Sequence, residues 1–245
     1  KSLKNIADAK SEVLESLDKK GCLIINNDTN FSQYVKRKAK KLGIQNIITY
    51  GAGSENNIRL LNFSLSNEKY LVQASCYGKK VSWLMPSLGE HWIHNSLSIL
   101  GLAVYFKIDF TEILGALSSF EVPQGRGNII SLRYKGRCFL LIDDSYNSNP
   151  ASLIASIKSF SKLKVMGKRF LVLGDMLELG DESKEIHKSL GTKIEKFKFD
   201  VLYTIGKNML EMSKVLKNIK YKYHDDNLDR TAENILKSLE SGDAI

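Results

Sequence analysis

The hydrophobic positions in the first half of the chain change their period along the sequence. Residues 1–18 carry apolar side chains at helical spacing and predict a helix. Apolar runs at 22–26 and 46–50 flank a Lys-rich amphipathic segment, which is the pattern of a β-α-β unit. From 60 to 85 the apolar positions alternate, so an antiparallel meander is expected beside this parallel sheet. Two further helices are predicted, over residues 91–106 and 109–120.

Strands and helices alternate regularly in the second half. Two short strands, 129–134 and 137–142, lead into a polar loop. Beyond the loop the pattern predicts helices over 150–161, 181–197, 207–218 and 227–240, and strands at 169–173, 201–205 and 221–224. This alternation is typical of a doubly wound parallel sheet. The predicted class is therefore α/β, with domains 1–143 and 144–245 and a boundary at Asp143–Asp144.

Composition agrees with a soluble protein of one large or two ordinary domains. The chain has 245 residues, of which 43% are hydrophobic and 26% charged. No apolar run approaches the roughly 20 residues that a membrane-spanning helix needs, so membrane insertion is not expected. The cysteines, Cys22, Cys76 and Cys138, each lie in or beside an apolar run and form no CxxC pair. They predict reduced core thiols in a cytoplasmic protein.

The chain is basic, with 36 Lys and Arg against 27 Asp and Glu and a net charge of +9. Such a surplus favours anionic partners and leaves nucleic-acid binding as an alternative. The densest basic cluster, 36–41, falls on the predicted amphipathic helix, where a solvated basic face is the simpler interpretation. Nucleic acid is therefore not the expected partner.

Two strands end in carboxylates. The apolar run Cys138 to Ile142 ends in Asp143 and Asp144, and Asn149-Pro150 then has the chemistry of a helix N-cap and first helical position. A second run, 168–173, leads into Gly174-Asp175. In open α/β sheets, ligands bind at the carboxyl ends of strands next to a helix start. An ordinary solvated loop remains the alternative interpretation of the first segment taken alone.

The two segments together resemble the Mur ligase family. They are IDDSYNSNP at 142–150 and LVLGDMLELG at 171–180, followed by His187. Within the family they resemble the branch whose substrates are UDP-N-acetylmuramoyl-tripeptide and D-Ala-D-Ala. The resemblance implies three domains: a UDP-binding one, a central ATPase and a Rossmann-like C-terminal one. This chain would cover the second part of the central domain and most of the C-terminal one, which is truncated at its end.

The chain contains no GxxxxGK[ST] phosphate-binding loop. The resemblance places that loop upstream of residue 1, so this chain alone is expected to be inactive. Lys10 resembles the family lysine that is carbamylated and supports Mg²⁺; its alternative interpretation is an exposed lysine of an amphipathic helix. His91 and Asn95 resemble a family segment that faces adenine, with Trp92 in place of the usual Asn.

The resemblance assigns the polar residues around the acidic loop to the nucleotide. Arg126 lies between two glycines and is expected to bind a nucleotide phosphate and to take part in catalysis with Lys10. Asp144 is expected to bind the ribose hydroxyls. Asn147 is assigned to the nucleotide, and Asn149 to the substrate or the hinge. Surface turns and ordinary packing are the alternatives.

Residues after the second strand are assigned to the incoming dipeptide. Asp175 and Glu178 follow the strand end, where a carboxylate could hold the ammonium group of D-Ala-D-Ala. His187 lies on an amphipathic helix, where a structural role is the preferred interpretation.

The implied reaction is ATP-dependent amide-bond formation through an acyl phosphate, with Mg²⁺, in cytoplasmic peptidoglycan precursor synthesis. The intact protein is expected to be a monomer that closes across Asp143–Asp144. Three alternatives remain: another Mur or folylpolyglutamate-type ligase, a non-catalytic nucleotide-binding relative, and a nucleic-acid-binding protein.

Overall fold

The computed structural model describes residues 3–66, 69–86 and 90–245. The chain divides into two compact units, Lys1–Glu121 and Val122–Ile245. Both are mixed α/β, as the periodicity predicts. No helix in the described residues is long and apolar enough to cross a membrane.

The first unit contains a five-stranded sheet with helices packed against it. Its strands β1 to β5 are Cys22–Asn26, Asn46–Gly51, Ile58–Ser66, Lys69–Cys76 and Lys79–Pro86. Its helices α1 to α4 are Leu3–Ser11, Ser32–Lys41, Glu90–Phe106 and Phe110–Ser118. The strand order is β1-β2-β3-β4-β5, with parallel pairing from β1 to β3 and antiparallel pairing from β3 to β5. The predicted parallel sheet with an antiparallel meander is confirmed.

Helix α3 forms much of the core of this unit. Ile93, Leu97 and Leu100 recur at helical spacing and are almost fully buried. They pack with Ile58 and Val72 of the sheet in one apolar cluster. This packing fixes the first turns of α3, which carry two of the predicted site residues, against the sheet.

The first helix is shorter than predicted. Residues 1 and 2 lie outside the described part of the chain, α1 ends at Ser11, and Glu12–Glu15 continue as a 3₁₀ turn. The tighter turn places Leu14 against Ala39 and Ile44 in a small apolar cluster.

The second unit contains a three-stranded parallel sheet and a separate hairpin. The hairpin strands β6 and β7 are Asn128–Tyr134 and Arg137–Asp143, and the sheet strands β8, β9 and β10 are Phe170–Gly174, Val201–Ile205 and Tyr221–His224. The helices α5 to α8 are Pro150–Lys162, Ser183–Ile194, Lys207–Val215 and Leu228–Ser238. The sheet order is β10-β9-β8, and both pairs are parallel. The predicted alternation of helix and strand is therefore present.

The compact units divide at a different place from Asp143–Asp144, which stays a prediction for the boundary between the functional domains. Contacts divide the chain after Glu121, so the hairpin and the predicted hinge at Asp143–Asp144 lie inside the second unit. The physical reason is a long-range backbone connection. Leu140 and Arg169 each form a parallel bridge with Ala244, so residues near the end of the chain join β7 to β8.

A cavity of about 500 Å³ lies inside the second unit. Its walls come from β7 and β8 and from α5 and α8, and they are mainly apolar. Ile245 lines the cavity, and the segment 243–245 hydrogen-bonds to both strands. The gap between β7 and β8 therefore has the width of one strand. Asp143, Asp144 and Ser145 line it on the polar side.

The three cysteines differ in exposure, which corrects part of the sequence prediction. Cys76 is buried and Cys22 is intermediate, but Cys138 is exposed on β7. Burial raises the pKa of the Cys22 and Cys76 thiols, because a thiolate is poorly solvated in apolar surroundings. Cys138 is therefore not a core thiol, although all three are free.

We expect Cys138 to react with an aromatic disulfide reagent at least about ten times faster than Cys76 at about pH 8, because the thiolate is the nucleophile and must be accessible. Mass spectrometry of the labelled peptides at successive times measures this. In denaturant the two should react at similar rates. Equal rates in the native protein would contradict the burial of Cys76.

Candidate functional site

The acidic loop follows β7 and is folded by its own side chains. Asp143 Oδ1 accepts hydrogen bonds from the backbone N–H and the hydroxyl of Ser145, at 3.2 and 2.6 Å. Asp144 is exposed, and one of its carboxylate oxygens accepts from the hydroxyl of Ser156 on α5. Asp143 therefore shapes the loop, whereas Asp144 faces solvent with a second oxygen for a ligand.

Helix α5 begins directly after this loop. Asn149 caps it, since its side-chain oxygen accepts from the N–H groups of Ala151 and Ser152, both at 3.0 Å. Ser152 completes a capping box by accepting from the Asn149 N–H at 3.0 Å. The role of Asn149 in the structure is thus to start the helix. Asn147 is exposed two residues earlier.

The glycine-rich turn carrying Arg126 is attached to the acidic loop. Gly127 N–H donates to the Asp143 carbonyl at 2.7 Å, and Tyr146 N–H donates to the Gly125 carbonyl at 3.0 Å. The guanidinium carbon of Arg126 lies 4.2 Å from the centroid of the Tyr146 ring. The second unit therefore brings Arg126, Asp144 and the start of α5 together at the carboxyl end of β7.

Asp175 follows β8 and holds the start of α7. Its Oδ1 accepts from Met209 N–H at 2.7 Å, and its Oδ2 lies 3.3 Å from both the backbone and side-chain nitrogens of Asn208. A side chain at Gly206 would overlap this carboxylate, so the close approach requires glycine there. A negative charge at a helix N-terminus is favourable. The geometry gives Asp175 a structural role.

Glu178 and His187 have opposite environments. Glu178 is exposed in the loop after β8, with a left-handed backbone (φ 62°). His187 is fully buried; its Nε2 accepts from Met176 N–H at 3.1 Å and its Nδ1 lies 2.7 Å from the Ser183 carbonyl. A carbonyl can only accept, so Nδ1 carries the hydrogen and the ring is neutral. His187 therefore holds the loop onto α6, which agrees with its expected structural role.

The remaining predicted site residues lie in the first unit. His91 and Asn95 are exposed and one turn apart on α3, so they share a helix face. Trp92 packs instead against Phe120, with ring centroids 5.1 Å apart. Its aromatic ring belongs to the core, which explains a Trp at that position. Lys10 is exposed near the end of α1.

The described residues do not by themselves assemble a complete donor set for Mg²⁺. The described residues contain no group of three or more His, Cys, Asp or Glu side chains that could hold a metal ion. A carbamylated Lys10 would supply oxygen ligands from one side chain, whereas Mg²⁺ prefers octahedral oxygen coordination. Further ligands would have to come from phosphate oxygens, water or other parts of the protein.

A second polar cluster was not singled out from the sequence. It lies at the carboxyl ends of β1 and β2, where Asp28 accepts from Ala52 N–H at 2.7 Å. Beside it, Lys36 Nζ donates to the Asn27 side chain at 2.6 Å, and Asn27 donates to Glu55 at 3.1 Å. The sequence signal for this cluster is Asn26-Asn27-Asp28, which ends β1 and begins the loop after it. These contacts connect two loops of the same sheet edge.

Comparison with known families identifies both units. Residues 1–103 match the Mur ligase middle domain, and residues 125–245 match the Mur ligase glutamate ligase domain. The matches end and begin on either side of the boundary between the compact units.

Curated proteins similar to this chain are named as ligases of the same type. A UDP-N-acetylmuramoyl-tripeptide–D-alanyl-D-alanine ligase from Buchnera aphidicola subsp. Baizongia pistaciae is 32% identical over 237 residues, covering 96% of this chain and 50% of that protein. The ligase of the same name from Bacillus subtilis is 32% identical over 206 residues, covering 84% and 42%. The chain thus spans about half the length of these curated relatives.

Solved structures share the fold. MurF from Acinetobacter baumannii superposes with a TM-score of 0.81 at 22% identity, covering 98% of this chain and 51% of that one. MurF ligase from Thermotoga maritima, solved in complex with ADP, gives 0.76 at 20% identity, covering 99% and 53%. With both domains matched in order along the sequence, the chain belongs to the Mur ligase family.

Proposed function

We propose that this chain is part of an ATP-dependent ligase that joins D-Ala-D-Ala to UDP-N-acetylmuramoyl-tripeptide in the cytoplasm. The observation that carries the proposal is the assembly of Arg126, Asp144 and the α5 N-terminus at one strand end. The names of the relatives at 32% identity supply the substrates. The ADP bound to the Thermotoga maritima structure supports a nucleotide as the ligand.

The chemistry requires two anions to approach each other. ATP supplies the phosphoryl group that activates the terminal carboxylate of the tripeptide as an acyl phosphate, which the dipeptide amine then attacks. Arg126 is suited to phosphate oxygens because its planar guanidinium carries several N–H donors in a fixed fork. The exposed oxygen of Asp144 is suited to ribose hydroxyls, which donate hydrogen bonds.

Residues of the first unit have complementary assignments in this proposal. The Asn95 carboxamide both donates and accepts, as the edge of adenine does, and His91 lies one turn away on the same face. Lys10, if carbamylated, would contribute oxygen atoms to Mg²⁺. Asn147 would orient the nucleotide beside Asp144.

The activity test uses the full-length protein with ATP and UDP-N-acetylmuramoyl-tripeptide. We expect phosphate release to depend on D-Ala-D-Ala and the product to gain the mass of the dipeptide. A panel with L-Ala, D-Glu and a folate substrate separates this proposal from the other ligase branches. Product formation with one of those acceptors, and none with D-Ala-D-Ala, would overturn it.

Replacing Arg126 tests the phosphate assignment. Arg126→Met removes the guanidinium and should raise the KM for ATP about ten- to a hundredfold, the effect of losing a charge-assisted hydrogen bond. The KM of Arg126→Lys should lie between those of the wild type and Arg126→Met, because lysine keeps the charge but lacks the planar fork of N–H donors. Steady-state kinetics of the full-length enzyme at fixed ionic strength measure both.

Arg133→Met is the matched control, since Arg133 is exposed on β6 of the same hairpin. It removes the same charge without touching the turn. If Arg126→Met and Arg133→Met give the same KM, the assignment of Arg126 is wrong.

Replacing Asp175 and replacing Glu178, the two carboxylates after β8, should have different effects: the first on stability, the second on the KM for D-Ala-D-Ala. Asp175→Ala removes acceptors from the start of α7 and should lower the free energy of unfolding by about 1–2 kcal/mol. Glu178→Gln should leave stability unchanged and raise the KM for D-Ala-D-Ala, because exposed Glu178 is the carboxylate available for an ammonium group. Urea unfolding followed by circular dichroism and dipeptide titration measure these effects. Unchanged stability in Asp175→Ala would refute its structural role.

A further inference from the structure

The contact between Arg126 and Tyr146 joins two segments that are distant in sequence. The guanidinium carbon lies 4.2 Å from the ring centroid, although the residues belong to different loops. Among the other cation–aromatic contacts of the described residues, three of four join sequence neighbours, as in Lys220–Tyr221. Neighbours meet through local chain geometry. The Arg126 contact requires a specific tertiary arrangement.

That arrangement is fixed by the backbone. Tyr146 N–H donates to the Gly125 carbonyl at 3.0 Å, and Arg126 N–H donates to the Pro123 carbonyl at 3.2 Å. Gly125 is buried with φ 77°, and a Cβ there would lie 3.0 Å from the Tyr146 Cβ. The two segments approach this closely only because residue 125 is glycine. The ring is consequently presented to the residue next to Gly125.

A contact with the face of an aromatic ring restrains an arginine side chain without occupying most of its N–H donors. An exposed arginine samples many rotamers, and binding a phosphate requires it to settle into one. Contact through the face of the ring leaves most guanidinium N–H donors for other acceptors. Tyr146 is itself 68% exposed, so this contact lies at the surface where a ligand can reach it.

We propose that Tyr146 is a positioning residue that holds the Arg126 guanidinium ready for a nucleotide phosphate. The inference rests on the proposed function and deepens it. The ring is the active element and the tyrosine hydroxyl is dispensable. Tyr146→Phe therefore keeps the effect, whereas Tyr146→Leu loses it. Both variants keep the N–H and Cβ that meet Gly125.

The experiment measures KM for ATP and kcat in the full-length enzyme with Tyr146→Phe and Tyr146→Leu, alone and combined with Arg126→Met. Tyr146→Leu should raise the KM for ATP about two- to fivefold, the effect of an exposed cation–π contact. Tyr146→Phe should match the wild type, and the KM for D-Ala-D-Ala should not change. In the Arg126→Met background, Tyr146→Leu should have no further effect.

Tyr221→Leu is the matched control, because Tyr221 is also partly exposed and has a lysine 5.1 Å from its ring centroid. It should leave all kinetic constants unchanged. The proposal is overturned if Phe and Leu at 146 behave alike, or if Tyr146→Leu and Arg126→Met act additively.

ATP affinity measured by calorimetry on the same variants separates this inference from the proposed function. One outcome is that the wild type forms no ligation product while Tyr146→Leu lowers ATP affinity and Tyr146→Phe does not. That result refutes the ligase proposal and supports the positioning role. Normal ligation with ATP affinity unaffected by Tyr146→Leu refutes the positioning role alone.

Discussion

The candidate site of the second unit depends on the backbone hydrogen bonds that join β7 to β8 through residues 242–245. Leu140 N–H and Ile142 N–H donate to carbonyls of this segment at 3.0 and 2.7 Å, and Phe170 N–H donates to it from β8 at 2.8 Å. Apart from these bonds the hairpin is held by apolar packing, which is not directional, and by Arg137, whose guanidinium donates to the Leu236 and Leu239 carbonyls at the end of α8. Because hydrogen bonds are directional, they fix where the carboxyl end of β7 lies relative to β8. The position of this strand end determines where the acidic loop and the Arg126 turn lie relative to α5.

The polar residues near the strand ends divide into two groups by what their side chains already bind. Asn149, Asp175 and His187 are engaged with backbone groups of their own domain. Burying or capping those groups is a structural requirement, since an unpaired helix terminus is destabilising. Asp144 and Glu178 are exposed. We therefore propose ligand recognition for the exposed carboxylates of Asp144 and Glu178, although Asn149 and Asp175, which hold helix starts, lie in the same two sequence segments.

Much of the fold was predictable because helices and strands follow local periodicity. The α/β class, the meander and the alternation after residue 150 all follow from which side chains face a core. The division of the chain into compact units after Glu121 could not be predicted in this way, because the contact between Leu140 and Ala244 has no local signal. The prediction that Cys138 is buried was wrong for a similar reason, since an apolar run does not show which face of a strand is covered. The Arg126–Tyr146 contact depends on a turn geometry that sequence spacing does not encode.

The basic surplus bears on how the chain meets anionic ligands. In the densest cluster, Lys38 pairs with Glu15 at 3.1 Å and Lys36 donates to Asn27. These ammonium groups hold neighbouring elements together. The charge of Lys38, paired with a carboxylate, contributes less to a field that attracts phosphates, whereas Lys36 keeps its charge beside a neutral amide. A net charge of +9 still raises the encounter rate with small anions, an effect that falls with ionic strength. The orientation of a phosphate is a separate matter: in the proposed function it needs a guanidinium in a fixed position, which the short-range contacts around Arg126 would supply.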